Sequence, residues 1–138
     1  SNVGGASSPL YGTAFLKASS ACKGDSLNEE DLVKVFKAGI DGVKMRGKAE
    51  KGEKTMLDSL IPAYETFSKE INNGSDLLEA LEKAVESANN GVEYTKTIIA
   101  TKGRASYLGK RSIGHQDPGA TSSYLLLKAF YETVKEEV

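Results

Sequence analysis

Three polar stretches that contain glycine carry residue types suited to binding anions. The first covers residues 4–9 (GGASSP) and stands immediately ahead of a predicted helix. Small residues let a ligand approach the backbone, and the unpaired N–H groups and positive dipole end of a helix start favour phosphate. The hydroxyls of Ser7 and Ser8 add hydrogen-bond donors. The same composition is typical of a turn with a serine N-cap, so this stretch alone leaves both interpretations open.

The second stretch covers residues 46–56 (RGKAEKGEKTM) and places four basic residues around two glycines ahead of a helix. Arginine or lysine at such a position can meet phosphate. Thr55 can cap the helix or donate to a ligand, and the polarizable side chain of Met56 can lie on a flat aromatic base. The alternative is a solvated charged loop with Met56 in the core.

The third stretch covers residues 102–120 (KGRASYLGKRSIGHQDPGA). Arg104 can form a fork onto phosphate oxygens, and Asp117-Pro118-Gly119 builds a rigid helix entry against which a ligand can rest. His115 is the only histidine and lacks the accompanying ligands of a metal site, so we interpret it as a structural residue. Because all three stretches flank helices, we expect them to form one anion site where several helix ends meet.

The bulk composition is that of an ordinary globular domain and gives no sign of nucleic acid or a membrane as a partner. A length of 138 residues suits one domain, and 18 basic against 19 acidic residues give a net charge of −1. That balance offers no general electrostatic reason to expect nucleic acid. No apolar run approaches the roughly 20 residues of a membrane span. The single cysteine, Cys22, excludes an intrachain disulfide and, with no signal-peptide pattern, favours the cytoplasm.

Apolar residues recur at helical spacing along most of the chain, and no useful run alternates as a strand would. Ser26 and Glu29 have capping-box spacing, Gly103 is predicted to cap a helix end, and Pro62 predicts a kink or a broken turn. The fold class is therefore all-α, with short loops that favour antiparallel neighbours. The predicted helices cover residues 9–22, 26–43, 55–71, 75–101 with a possible interruption at 89–91, and 117 onward.

The last predicted helix and the stretch ahead of it carry two further expectations. Residues 104–116 show no regular period, but Tyr107, Leu108 and Ile113 indicate an ordered segment rather than a linker. The last helix is expected to pack through one apolar face, formed by Leu125, Leu126, Ala129, Phe130 and Val134.

The three polar stretches resemble the nucleotide-site segments of the L subunit of the dihydroxyacetone kinases. Residues 103–123 are similar to that family's signature almost letter for letter, and residues 1–15 and 46–56 resemble its other two segments in the same order and with similar spacing. The resemblance covers residues 1–138 as one domain. It implies an antiparallel up-and-down barrel of amphipathic helices that holds ADP or ATP at one end.

The resemblance also implies which residues contact the nucleotide, and it names no catalytic residue. The phosphates would be held through backbone, hydroxyl and guanidinium groups, the adenosine end would be lined by the second stretch, and the third stretch would close over the ligand. The phosphate-contacting residues would be Gly5, Ala6, Ser7 and Arg104. The adenosine end would be lined by Gly47, Thr55 and Met56, and the residues that close over the ligand would be Asp117, Pro118 and Gly119.

One feature of that family has no counterpart in this sequence. The family binds Mg²⁺ through a loop of the form G-D-x-D-x-G ahead of the segment similar to residues 4–9, and none of the aspartates here lies in such a loop; we interpret Asp25, Asp31, Asp41, Asp58 and Asp76 as helix caps or surface positions. We therefore expect an N-terminally truncated, incomplete barrel without a metal site of its own. Because the metal neutralises charge in phosphoryl transfer, we predict weak nucleotide binding and no kinase activity for this chain alone.

The resemblance implies partners as well. Dihydroxyacetone sits on a histidine of a separate K subunit, a role that His115 does not match, and the L module supplies the phosphoryl group. The nucleotide is either ADP, rephosphorylated by an M subunit of the phosphotransferase system fed by phosphoenolpyruvate, or exchangeable ATP. The alternatives are a non-catalytic nucleotide-binding regulator, the L domain of a single-chain ATP-dependent kinase, and a helical interaction domain. An incomplete barrel should expose apolar faces and favour a homodimer or another chain.

Overall fold

Helices make up most of the chain that the computed structural model describes, which is residues 28–102 and 104–137. Within these residues no strand occurs, so the all-α prediction is confirmed. The predicted helix at 9–22 and the stretch at 4–9, with Gly5, Ala6 and Ser7, lie outside the described residues. The elements are α1 (Glu29–Gly47), α2 (Leu57–Asn72), α3 (Leu77–Thr95), a 3₁₀ segment (Arg104–Ser112) and α4 (Pro118–Glu137).

The start of α1 corrects one predicted boundary. Asn28 is the N-cap, and its Oδ1 accepts from the backbone N–H of Asp31 at 2.8 Å, while the backbone N–H of Asn28 donates to Asp31 Oδ2 at 3.3 Å. The capping box therefore joins Asn28 to Asp31, while Ser26, the predicted cap, lies outside the described residues. Asparagine is as strong a cap as serine, and an aspartate three residues later completes the reciprocal pair.

Helix α2 runs unbroken through Pro62, where a kink or a broken turn was expected. Proline supplies no N–H, so the carbonyl of Asp58 lacks its usual helical donor four residues later. That carbonyl faces α3 at Gly91, where an added Cβ would overlap the oxygen atom. A glycine is thus required at this crossing, because only its absence of a side chain lets the two backbones approach so closely.

Helix α3 begins as predicted and ends earlier than predicted. Asp76 caps it, with Oδ1 accepting from the N–H of Glu79 at 2.8 Å, and residues 89–91 do not interrupt it. It ends at Thr95 rather than near Thr101, with Lys96 as its C-cap, and Gly103, the predicted cap, lies outside the described residues. The chain turns there because the carbonyl of Lys96 accepts from the distant N–H of Gly114 at 2.7 Å.

The segment between α3 and α4 is ordered, although not for the expected reason. Residues 104–112 form 3₁₀ turns with a kink at Gly109, whose φ of 56° suits glycine. Tyr107 is 87% exposed, and Leu108 and Ile113 are each close to half exposed. Order in this segment therefore comes from hydrogen bonds to other loops and not from burial of its apolar side chains.

The core lies between α2 and α3 and is built on one side from small residues. Its fully packed members are Phe67, Leu81 and a group of alanines at 63, 80, 84 and 88. Leu32, Val33 and Phe36 of α1 pack against it from one side, and the ring of Phe36 meets that of Tyr64 edge-on at 5.6 Å. These contacts make the described helices one bundle.

Helix α4 packs through a different face from the predicted one. Leu125, Leu126 and Phe130 are 53%, 56% and 46% exposed, and Ala129 is also exposed. The packed stripe is Tyr124, Leu127, Tyr131 and Val134, so only Val134 of the predicted face is confirmed. The tyrosines decide the rotation because their rings pack inward while a hydroxyl reaches the surface, as Tyr131 does toward Glu82. None of the helices in the described ranges is both long and apolar enough to cross a membrane.

Candidate functional site

The second and third polar stretches meet in space at the start of α4. A Cβ placed on Gly119 would lie 3.4 Å from the backbone nitrogen of Met56 and 3.5 Å from its Cβ. These atoms are 63 positions apart in the sequence, so the contact is a tertiary one. The structure thus brings together two of the three stretches that we expected to form one site.

Asp117 holds the start of α4 as predicted. Its Oδ2 accepts from the N–H of Ala120 at 2.8 Å, and its own N–H donates to the hydroxyl of Thr95 at 2.9 Å. Burial raises the pKa of the Asp117 carboxyl above its ordinary value, and the charge of Asp58 raises that pKa further. The N–H groups of α4 and the ammonium of Lys54 oppose this rise.

Lys54 does not occupy the phosphate-facing surface position that its basic stretch suggested. It is 3% exposed, has a φ of 62°, and its Nζ donates to the carbonyl of Ile98 at 3.3 Å and to that of Ser112. With its ammonium donating to two carbonyls in the protein interior, Lys54 is a structural link between two loops. The exposed basic residues of the same stretch are Arg46, Lys48 and Lys51.

Asp58 was interpreted as a cap or surface residue and is in fact completely buried. Its Oδ1 accepts from the N–H of Gly52 at 2.6 Å, and its Oδ2 accepts from the N–H of Thr55 at 3.0 Å. The carboxylate therefore fixes the loop ahead of α2 from inside. The one sequence signal that points to it is an acidic residue in the first turn of a helix that follows a glycine-containing loop.

Thr55 and Met56 serve the structure at the start of α2. The hydroxyl of Thr55 accepts from the N–H of Leu57 at 3.2 Å, but the N-cap residue of α2 is Met56, which makes no side-chain capping bond. Met56 is 3% exposed and packs with Ile40, Val43 and Leu57, which agrees with the alternative prediction that this residue belongs to the core. Gly47 is the last residue of α1, at the near edge of the same loop.

Comparison with known proteins identifies the family. The model for the DAK2 domain matches residues 1–132. The chain belongs to the DAK2 domain family. It is 47% identical, over 99% of its length, to the "PEP-dependent dihydroxyacetone kinase, ADP-binding subunit DhaL" of Escherichia coli K12. It is 48% identical, over 96% of its length, to the "PEP-dependent dihydroxyacetone kinase 1, ADP-binding subunit DhaL" of Listeria innocua. The resemblance seen in the sequence is therefore confirmed.

The DAK2 domain also occurs within longer relatives. The human "Triokinase/FMN cyclase" is 35% identical over 96% of this chain, which covers 23% of that protein. The chain covers 65% of the Escherichia coli relative and 62% of the Listeria relative, so it spans slightly less than two thirds of the length of these two proteins.

Other predicted site residues of this DAK2 domain are less fully described. Arg104 begins the 3₁₀ segment, and its side chain lies outside the described part of the structure. Pro118 is exposed at the first position of α4, and His115 is exposed nearby. In residues 28–102 and 104–137, no three carboxylate, histidine or cysteine side chains are grouped to hold a metal.

Proposed function

We propose that this DAK2 domain is the nucleotide-binding, phosphoryl-transferring module of a dihydroxyacetone kinase. The observation that carries the proposal is the contact between Met56 and Gly119, which joins two polar stretches at the starts of α2 and α4. Two helix starts side by side bring their positive dipole ends into one region, which favours a di- or triphosphate, although Asp117 and Asp58 already accept from the N–H groups of Ala120 and Thr55 there. The relatives with 47% and 48% identity are named ADP-binding subunits, which supports the same ligand.

In this proposal the residues of the three stretches have three tasks: contact with the phosphates, closure over the nucleotide and support of the adenosine end. Gly5, Ala6, Ser7 and Arg104 contact the phosphates, and Pro118 and Gly119, held by Asp117, close over the nucleotide. Gly47, Thr55 and Met56 form the adenosine end, and because Met56 is buried, its part is to support the wall beneath the base. Magnesium, when bound in a complete kinase, neutralises phosphate charge; we place its ligands outside the described residues.

The phosphoryl group would pass to dihydroxyacetone held on a K subunit. Because the Escherichia coli and Listeria relatives are named PEP-dependent and a Lactococcus lactis relative is named PTS-dependent, we propose that bound ADP is rephosphorylated by an M subunit of the phosphotransferase system. Free ATP exchange is the alternative, as in a single-chain kinase. We predict further that the protein is cytoplasmic, forms a homodimer and has no nucleic-acid partner.

Calorimetry with ADP, with and without Mg²⁺, tests the proposal on the full-length gene product that contains this sequence. Arg104→Ala should weaken ADP binding roughly tenfold or more, because it removes a charge-assisted contact to phosphate. Arg111→Ala, at an exposed position of the same 3₁₀ segment, is the matched control and should change affinity little. Equal ADP affinity in wild type and Arg104→Ala would exclude the proposed phosphate site.

A second measurement separates a kinase module from a regulator. With a K subunit and a phosphoryl donor present, the kinase module transfers phosphate to dihydroxyacetone. A regulator would bind ADP and transfer none with any K subunit. The 138-residue chain alone is expected to bind nucleotide weakly and to be inactive, and full Mg²⁺-dependent turnover by it would contradict that expectation.

A further inference from the structure

A buried lysine ties together the two loops that flank the proposed nucleotide site. One loop is residues 48–56, ahead of α2, and the other is residues 96–116, between α3 and α4. The ammonium of Lys54 makes the connection by donating to backbone carbonyls of the second loop, while the carboxylate of Asp58 and the hydroxyl of Ser112 each fix one of the loops. Lys54, Asp58 and Ser112 together form the loop clasp. All three are buried, at 3%, 0% and 2% exposure.

Lys54 is the member of the loop clasp that spans the two loops. Its left-handed backbone directs the side chain inward, where Nζ donates to the carbonyls of Ile98 and Ser112, 44 and 58 positions away. Ser112 is itself fixed, because its hydroxyl accepts from the N–H of Ala100 at 3.0 Å and donates to the carbonyl of Gly109 at 2.7 Å. One ammonium thus sets the distance between the first loop and both ends of the second.

Asp58 fixes the first loop on its other side. Its two oxygens hold the N–H groups of Gly52 and Thr55, the residues two before and one after Lys54. The backbone that carries Lys54 therefore has little freedom to move away from the second loop. At the outer edge Glu53 adds weaker links, through a 3.5 Å bond between its carbonyl and the N–H of Thr101 and a 3.7 Å ion pair with Lys102.

The burial of these charges points to a role beyond holding the fold together. Desolvating an ammonium and a carboxylate costs several kcal/mol each, and well-packed apolar residues often stabilise a fold as well or better. What a hydrogen-bonded charge adds is a fixed geometry at both of its ends. Here the two ends are the loop that leads to Met56 and the loop that leads to Gly119, where the two walls of the proposed site touch.

We propose that Lys54 is a positioning residue for nucleotide binding, which sets the spacing between the walls at Met56 and Gly119 with Asp58 and Ser112 as its supports. This inference rests on the proposed function and deepens it. Lys54 acts through the backbone of the two loops and does not touch the ligand. It differs in this respect from Arg104, whose proposed role is direct contact with phosphate.

The test compares ADP affinity among variants of the full-length gene product, at a temperature where each is fully folded by circular dichroism. Lys54→Met keeps the stem and removes the charge and donors, and it should weaken ADP binding about tenfold or more, because the walls at Met56 and Gly119 are then no longer held at a fixed spacing before the ligand binds. Lys54→Arg keeps charge and donors and should recover most of the affinity. Lys34→Met, at an exposed position on α1, should bind as wild type does.

The outcomes separate this inference from the proposed function. If wild type binds ADP and Lys54→Met binds it within about twofold under fully folded conditions, the positioning role is wrong while the function stands. If wild type itself does not bind ADP, the proposed function fails. Should Lys54→Met not fold, Ser112→Ala carries the test, because it keeps the carbonyl that accepts from Lys54 and removes only the hydroxyl that fixes this carbonyl in its loop, without removing a charge. A several-fold loss of ADP affinity supports the proposal, and unchanged affinity overturns it.

Discussion

The loop clasp and the outer face of α4 reverse the usual distribution of polar and apolar groups. In the loop clasp an ammonium and a carboxylate are almost fully buried, whereas Leu125, Leu126 and Phe130 on α4 are about half exposed. The difference in exposure arises from the partners of each group. Each buried charge accepts or donates hydrogen bonds, whereas α4 packs against the core through the opposite stripe of side chains. Exposure in this domain thus depends on what a residue can be paired with and not on its polarity alone.

The largest effect that would sharpen this comparison is expected for Asp58→Ala. The change leaves the N–H groups of Gly52 and Thr55 without the buried carboxylate that accepts from both, so we expect a loss of about 3 kcal/mol in the free energy of unfolding. Asp41→Ala removes an exposed carboxylate paired with Lys37 and should cost roughly 0.5 kcal/mol or less. Urea denaturation measures both, and similar losses for the two would show that the buried carboxylate is unimportant.

Two adjacent leucines of α4 test the other side of the comparison. Leu127 packs against the core, so Leu127→Ala should lower the free energy of unfolding by about 2 kcal/mol. Leu126 is 56% exposed, and Leu126→Ala should change it by roughly 0.5 kcal/mol or less. A loss at Leu126 as large as that at Leu127 would mean that the outer face of α4 is covered in solution, by another part of the chain or by a second copy.

Thr95 and Thr97 provide a matched pair of hydroxyls near the end of α3. The buried hydroxyl of Thr95 donates to the carbonyl of Val92 at 2.6 Å and accepts from the N–H of Asp117. Thr95→Val leaves that N–H unpaired and should cost about 1.5 kcal/mol, while Thr97→Val, at an exposed hydroxyl, should be nearly neutral. Thermal unfolding followed by circular dichroism distinguishes the two, and equal melting temperatures would show that water replaces the bond to Asp117.

The smallest expected effect is a pH dependence that arises from Asp117. Because burial raises the folded-state pKa of its carboxyl, the folded protein binds this proton more tightly than the unfolded chain does. The contribution of Asp117 to stability therefore falls as the pH rises from about 4 through the raised pKa. Asp117→Asn retains a capping side chain and removes this titration. Its stability relative to wild type should increase across that window in urea titrations, and a constant difference would contradict the assignment.

Local signals in the sequence were sufficient for the starts of α3 and α4 and for the likeness of the chain to a known family. Asp76 and Asp117 cap α3 and α4 as expected because capping involves residues three apart. Two stretches of the predicted site also meet as expected, at Met56 and Gly119.

The features that sequence reasoning missed depend on distant partners. Lys54 looked like a surface lysine because its acceptors at Ile98 and Ser112 lie in another loop. Asp58 binds nearby N–H groups, those of Gly52 and Thr55, but it lies where α2 packs closely against Gly91 of α3, a distant contact that its local sequence does not show. The face of α4 was misplaced for a related reason, since whether a tyrosine packs inward depends on a partner such as Glu82.

The close approach of Gly91 to the carbonyl of Asp58 has a consequence for how the molecule is assembled. Helices α2 and α3 are joined by a short turn through Gly74, so closing their contact costs little chain entropy. We expect this hairpin to form early in folding, because its contact is local in the sequence, and to provide the surface on which α4 later docks.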